Sequence, residues 1–122
     1  MVSPVNGTVV VAYAEASRAA EDAYLVIRDT QTREEHVLGH VQSSLGVGSV
    51  VKKGDPVATV RDQGSNTHFH WGFNTRSVVR ATQYRSTCLR GNRMQSCEWG
   101  WGMAPYEASR SEIVAQGWAN VL

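Results

Sequence analysis

The stretch NTHFHWGFN, residues 66–74, decides how this chain is read. Side chains of a β-strand alternate between its two faces. Written as a strand, the stretch sets His68, His70, Gly72 and Asn74 on one side and Phe69, Trp71 and Phe73 on the other. The aromatic side is expected to face the core. The imidazoles then line the opposite surface with their α-carbons roughly 7 Å apart, close enough to address one metal ion or one substrate carbonyl.

Outward from this stretch toward the N-terminus, short β-branched runs are separated by turn residues. NGTVVVAY (6–13), AYLVIRD (23–29) and EEHVLGHV (34–41) read as strands, and the polar link Thr30-Gln31-Thr32-Arg33 makes the last two a hairpin. In VGSVVKKGDPVATVRD (47–62) the valines are interrupted by Gly48 and by Gly54-Asp55-Pro56, which predicts two short strands around a tight reversal. No long segment carries a 3.6-residue period, so the expected fold is all-β, an antiparallel sheet or sandwich. AEASRAAED (14–22) fits either one helical turn or a surface loop. The alternation in EEHVLGHV sets His36, Leu38 and His40 on one face, and Gly39 leaves space beside His40. Two adjacent strands can therefore gather His40, His68 and His70. His36 lies about 13 Å along its strand from His40, too far to share an ion.

Past Asn74 the composition changes. Arg76, Arg80, Arg85, Arg90 and Arg93 run through a segment poor in aliphatic residues, followed by EWGWG (98–102) and by PYEASRSEIVAQGW (105–118). Ser109 and Glu112 suit a capping box that opens a short helix ending near Gly117. Residues 75–122 are thus expected as an extension packed on a β core of residues 1–74. Cys88 and Cys97 flank a turn-rich segment and are expected to form a disulfide, adding roughly 2–3 kcal/mol and implying an oxidising compartment; a pair of unrelated thiols is the alternative. Trp99 and Trp101 bury that loop or stack on a sugar ring.

Bulk properties set the limits. With 122 residues, 42% of them hydrophobic, the chain can bury one modest core. A net charge of +1 supplies no field for nucleic acid, which is not expected as a partner. No apolar run approaches the ~18–20 residues of a membrane span, and Met1–Pro4 lacks the pattern of a signal peptide.

Imidazole is the commonest zinc ligand and the usual proton carrier near neutral pH, while solvated histidines on a strand face are the plain alternative. The order of SPVNGTVVVAY, AYLVIRD, VLGHV, VGSVVKKGDPVATV and NTHFHWGFN over residues 3–74 resembles the lysostaphin-type, or LytM-like, zinc metalloendopeptidases. In that family an AP-x-x-G-x-V strand precedes a Y-G-H-L strand, a V-x-x-G-x-x-I hairpin and a closing H-L-H-F. The resemblance implies a peptidoglycan hydrolase of the LytM-like β type, extracellular or periplasmic. It makes His70 a zinc ligand and makes His40 and His68 the catalytic pair that shuttles protons and stabilises the oxyanion. The implied substrates are the cross-link or stem peptides of bacterial peptidoglycan, with Gly72 and Asn74 beside the substrate groove.

The family's other two ligands, a His and an Asp in H-x-x-x-D, precede the strand that SPVNGTVV matches. An upstream segment or a second chain is therefore expected to supply them, and the chain alone is expected to bind zinc weakly or not at all. The alternative function is a degenerate module that binds cell wall or regulates another hydrolase. SPVNGTVV and VKKGDPVATV also resemble biotinyl or lipoyl carrier domains, but no lysine here adjoins a methionine, and that reading leaves His68 and His70 without a role.

Overall fold

A computed structural model describes residues 1–13, 24–75, 85–90, 93–98, 110–115 and 117–119. Six strands form one antiparallel sheet: β1 (Gly7–Tyr13), β2 (Tyr24–Asp29), β3 (Glu35–Gly39), β5 (Val50–Val51), β7 (His70–Asn74) and β10 (Trp118–Ala119). Their order is β10-β7-β3-β2-β1-β5. Two smaller pairs join β4 (Val41–Gln42) to β6 (Thr59–Val60) and β8 (Arg85–Arg90) to β9 (Arg93–Glu98). The longest helix among the described residues is α1 (Arg110–Ala115), of six residues. The protein is all-β, as its residue pattern requires.

The expected hairpin is β2 to β3, with Leu25 opposite Leu38 and Ile27 opposite His36. Asp29 builds its turn: the carboxylate accepts from the Gln31 N–H at 2.7 Å, and the backbone carbonyl accepts from the Arg33 N–H at 3.0 Å. Beyond the turn, Arg28 reaches across to Glu35, donating from Nε at 3.0 Å and from Nη2 at 2.8 Å to Oε1. Glu35 is fully buried, so this ion pair neutralises a carboxylate that would otherwise be very costly to place there.

The central strands are covered on both faces. Val9, Leu25, Ile27, Leu38, Val41, Val51 and Val57 form one apolar cluster, and Tyr24, Val26, Val37 and Trp118 form the other. That explains why Tyr24–Ile27 is an unbroken apolar run: each alternate side chain is buried, on one side or the other, stabilising by roughly 1.5–3 kcal/mol apiece. Gly7 permits close contact between β1 and β2, since a Cβ there would sit 2.8 Å from Ile27 Cγ2.

One sequence expectation is refined. The reversal at Gly54 is present, with φ 90° and the Asp55 N–H donating to the Lys52 carbonyl at 2.9 Å. The strands it joins do not pair with each other, however: β5 adds to β1, whereas β6 pairs with β4. Pro56, which bridges to Val2, diverts the chain on leaving the turn. Farther along the chain, Trp118–Ala119 forms the edge strand β10 of the six-stranded sheet. Trp118 pairs with Asn74 and Ala119 with Phe73, and Trp118 is 1% exposed.

The expected helix stands at Arg110–Ala115, and Gly117, at φ 91°, donates to the Val114 carbonyl at 2.9 Å. In the β8–β9 hairpin Cys88 is opposite Gln95 and Cys97 opposite Ser86, so the cysteines are diagonal rather than facing neighbours. Their side chains, AEASRAAED, Arg76, Arg80, Ser109, Trp99 and Trp101 lie outside the described residues. No described helix is long and apolar enough to cross a membrane.

Candidate metal centre

The site lies where β3 ends and β7 begins. Gly39, the last residue of β3, pairs with His70, the first of β7. The next residue, His40, adopts φ 58°. This left-handed conformation is costly for a residue with a Cβ and takes His40 out of the alternation that His36 and Leu38 follow. Its ring joins His70 at a centroid distance of 4.5 Å. The His40 carbonyl accepts from the Arg61 N–H at 3.1 Å, which fixes the kinked backbone to the neighbouring segment.

His68 precedes the strand, contrary to the reading of 66–74 as one continuous strand. It follows a 3-10 turn, Gly64–Asn66, that folds on its own side chains. Asp62 Oδ1 accepts from the Gly64 N–H at 2.8 Å, and Thr67 Oγ1 accepts from the Gln63 N–H at 2.9 Å. The turn brings the Asn66 carbonyl to 2.5 Å from His68 Nδ1. A carbonyl only accepts, so Nδ1 carries the proton, and in the neutral ring Nε2 is the nitrogen with the lone pair. Gln63 Nε2 donates to the His68 carbonyl at 3.2 Å, holding the same residue from its backbone.

The structure brings His40, His68 and His70 together. Ring centroids are 4.7 Å apart for His40 and His68 and 4.9 Å apart for His68 and His70, with the planes inclined by 52–70°. One ligating nitrogen from each lies within 4.8 Å of the others, close enough to hold a metal ion. His40 is 7% exposed, and His68 and His70 are more open, so the group is rooted in the fold and open to solvent on one side. Among the described residues no carboxylate or cysteine joins it.

The burial of the flanking residues reverses expectation. Trp71 and Phe69 are 39% and 45% exposed, whereas Gly72 and Asn74 are buried. Trp118 is the cause: its ring covers the histidine side of β7, and a Cβ on Gly72 would stand 3.0 Å from Trp118 Cζ3. Gly72 and Asn74 are therefore enclosed on that side of β7. The aromatic side is partly open, and Phe69 and Trp71 wall an apolar cavity of about 220 Å³ with Met1, Val2, Pro4 and Leu38.

His36 stays apart from the three, as its spacing requires. It accepts a hydrogen bond at Nδ1 from Trp71 Nε1 at 3.1 Å and packs against Phe73, with centroids 5.0 Å apart. Burial pushes its pKa below 6.5, with Asp29 and Glu34 opposing that shift. The Trp71 link and the Asn66 carbonyl were not evident from the sequence. The only advance signal was the DQGSN cluster (62–66), whose residue types favour a turn. Compared with known proteins, the chain matches no family model, no curated protein and no solved structure.

Proposed function

We propose that this chain is a zinc-dependent peptidase module of the lysostaphin type, working in the cell envelope on peptides of bacterial peptidoglycan. The observation behind the reading is the convergence of His40, His68 and His70, drawn from a G-H at one strand end and an H-x-H at the next. In this proposal His70 holds the metal, and His40 and His68 act on the substrate. Zinc, when bound, supplies a Lewis acid that polarises the scissile carbonyl and activates water.

The chain's own part is proton handling and positioning. His68 presents Nε2 as a proton acceptor because the Asn66 carbonyl holds the proton on Nδ1. His40, buried and fixed by its backbone, offers a ring of constrained position beside His70, suited to hydrogen-bond negative charge developing on the substrate oxygen. Further ligands of the peptidase centre come, in this reading, from outside the described residues.

Two measurements on the same protein test it: zinc uptake, read by competition with a chromogenic chelator, and the appearance of new amino groups in purified peptidoglycan. The expected result is weak zinc uptake by the chain and slow zinc-dependent release of amino groups, the uptake and the release both lost in His70→Ala and the release lost in His68→Ala and His40→Ala. Binding to sacculi with no new amino groups, with zinc present, would overturn the peptidase reading and favour the non-catalytic one.

A further inference from the structure

We infer that Arg61 determines which substrates the site takes: its guanidinium receives a carboxylate of the peptide, whose chain continues along the groove between residues 42–45 and 56–59. This rests on the peptidase reading and adds a substrate class to it, an acidic peptide.

Placement is the first argument. β4 and β6 pair Val41 with Val60 and Gln42 with Thr59. One residue further, the Arg61 N–H donates to the His40 carbonyl at 3.1 Å, so the ribbon reaches the three histidines with Arg61 beside His40. Side chains two residues apart on a strand share a face. Arg61 is therefore on the face of Thr59, and Thr59 lines the groove.

The groove itself is the second. Its volume of about 590 Å³ is that of a ligand site. Gln42, Ser43, Ser44, Ala58 and Thr59 give it short and mostly polar walls, which admit a peptide backbone and offer it hydrogen bonds. The Ser43 hydroxyl donates to the Val57 carbonyl at 2.6 Å and ties one wall to the other.

Charge is the third. Arg61 is partly exposed, and among the described residues its side chain makes no ion pair or hydrogen bond. The adjacent carboxylate is engaged elsewhere: Asp62 Oδ1 accepts from the Gly64 N–H at 2.8 Å and from the Thr67 hydroxyl at 3.3 Å. No described carboxylate joins the three histidines either. The planar fork of a guanidinium matches a carboxylate with two parallel N–H donors. A substrate held by that fork is fixed in register, so the position of its acidic residue sets which bond is presented to His40 and His70.

The test is a fluorescence titration of the 122-residue protein with a dansyl-labelled peptidoglycan stem peptide, its carboxylates free or all converted to amides. Chelator is present throughout, so that no metal competes for the carboxylate. The acid is expected to bind about tenfold more tightly than the amide. Arg61→Gln should bind the acid only as well as the amide and should melt with the parent, since the bond to His40 uses the backbone N–H. Arg61→Lys, which keeps the charge and loses the fork, should retain part of the preference. Arg33→Asn, on the remote β2–β3 turn, should retain all of it.

Equal affinity for acid and amide, no binding of either, or a preference that survives Arg61→Gln would overturn the inference. Zinc-dependent release of amino groups alongside any of these would leave the peptidase reading standing without it. A preference that Arg61→Gln abolishes, with no release of amino groups by the zinc-loaded protein, would support Arg61 as the anchor for an acidic peptide and remove the peptidase reading.

Discussion

His40 holds φ at 58°, a conformation that costs an ordinary L-residue roughly 1–2 kcal/mol and that asparagine tolerates best after glycine. His40→Asn is therefore expected to keep the fold, whereas His40→Val, with a branched Cβ, should be less stable than His40→Asn by about 1–2 kcal/mol. Urea denaturation of the two variants measures the difference. The sequence brought His40 near His70 through strand pairing but kept it on the face of His36, because Gly39-His40-Val41 carries no residue that announces a left-handed angle at its centre. His36 offers a second test at this scale. Its pKa is depressed in the fold mainly by burial, so the unfolded chain takes up a proton first as pH falls. Stability from this group is complete above the unfolded value of about 6.5 and is lost as pH falls from there through the lower folded value. The denaturation midpoint should thus drop between pH 7.5 and 5.5 by more in the parent than in His36→Gln, which cannot titrate.

Elements are joined here by side chains as much as by backbone. The Arg28–Glu35 pair lies across the first register position of the β2–β3 hairpin, with the carboxylate wholly enclosed and the guanidinium 19% exposed. Arg28→Ala removes a cation hydrogen-bonded to that buried carboxylate and should destabilise by about 3–5 kcal/mol, whereas the double change Arg28→Met with Glu35→Leu should recover most of the loss. Thermal melts of the parent, the single and the double variant decide the point. The hairpin itself was legible in the alternation of AYLVIRD and EEHVLGHV and in the polar turn between them. The partners of β5 and β6 were not, since two-residue strands carry too little pattern to identify a neighbour. Nor was the burial of the two faces of β7. An aromatic row normally marks the buried side, but Gly72 admits Trp118 on the other, and a single glycine gives no sign of which distant ring fills its place.

In the whole molecule the sheet closes on a residue far along the chain. Trp118 pairs with Asn74 and completes the cluster of Tyr24, Val26 and Val37. Trp118→Ala should cost about 3–5 kcal/mol and lower zinc uptake along with stability, because β7 carries both His70 and the contact with Trp118. Thermal melts with and without metal measure both effects. All-β architecture was readable from residue alternation, whereas the meeting of the three histidines was expected from a strand geometry that neither His40 nor His68 follows. The dependence of the sheet on its last strand was not, because a capped helix and a lone tryptophan look like a surface appendage until their partner is known. Order of synthesis adds a consequence. A nascent chain completes β1, β2, β3 and β7 long before it reaches Trp118, so Tyr24, Val26 and Val37 wait without their cover. Ribosomes stalled short of that tryptophan would display a sticky apolar sheet, the kind of surface that chaperones hold and that otherwise aggregates.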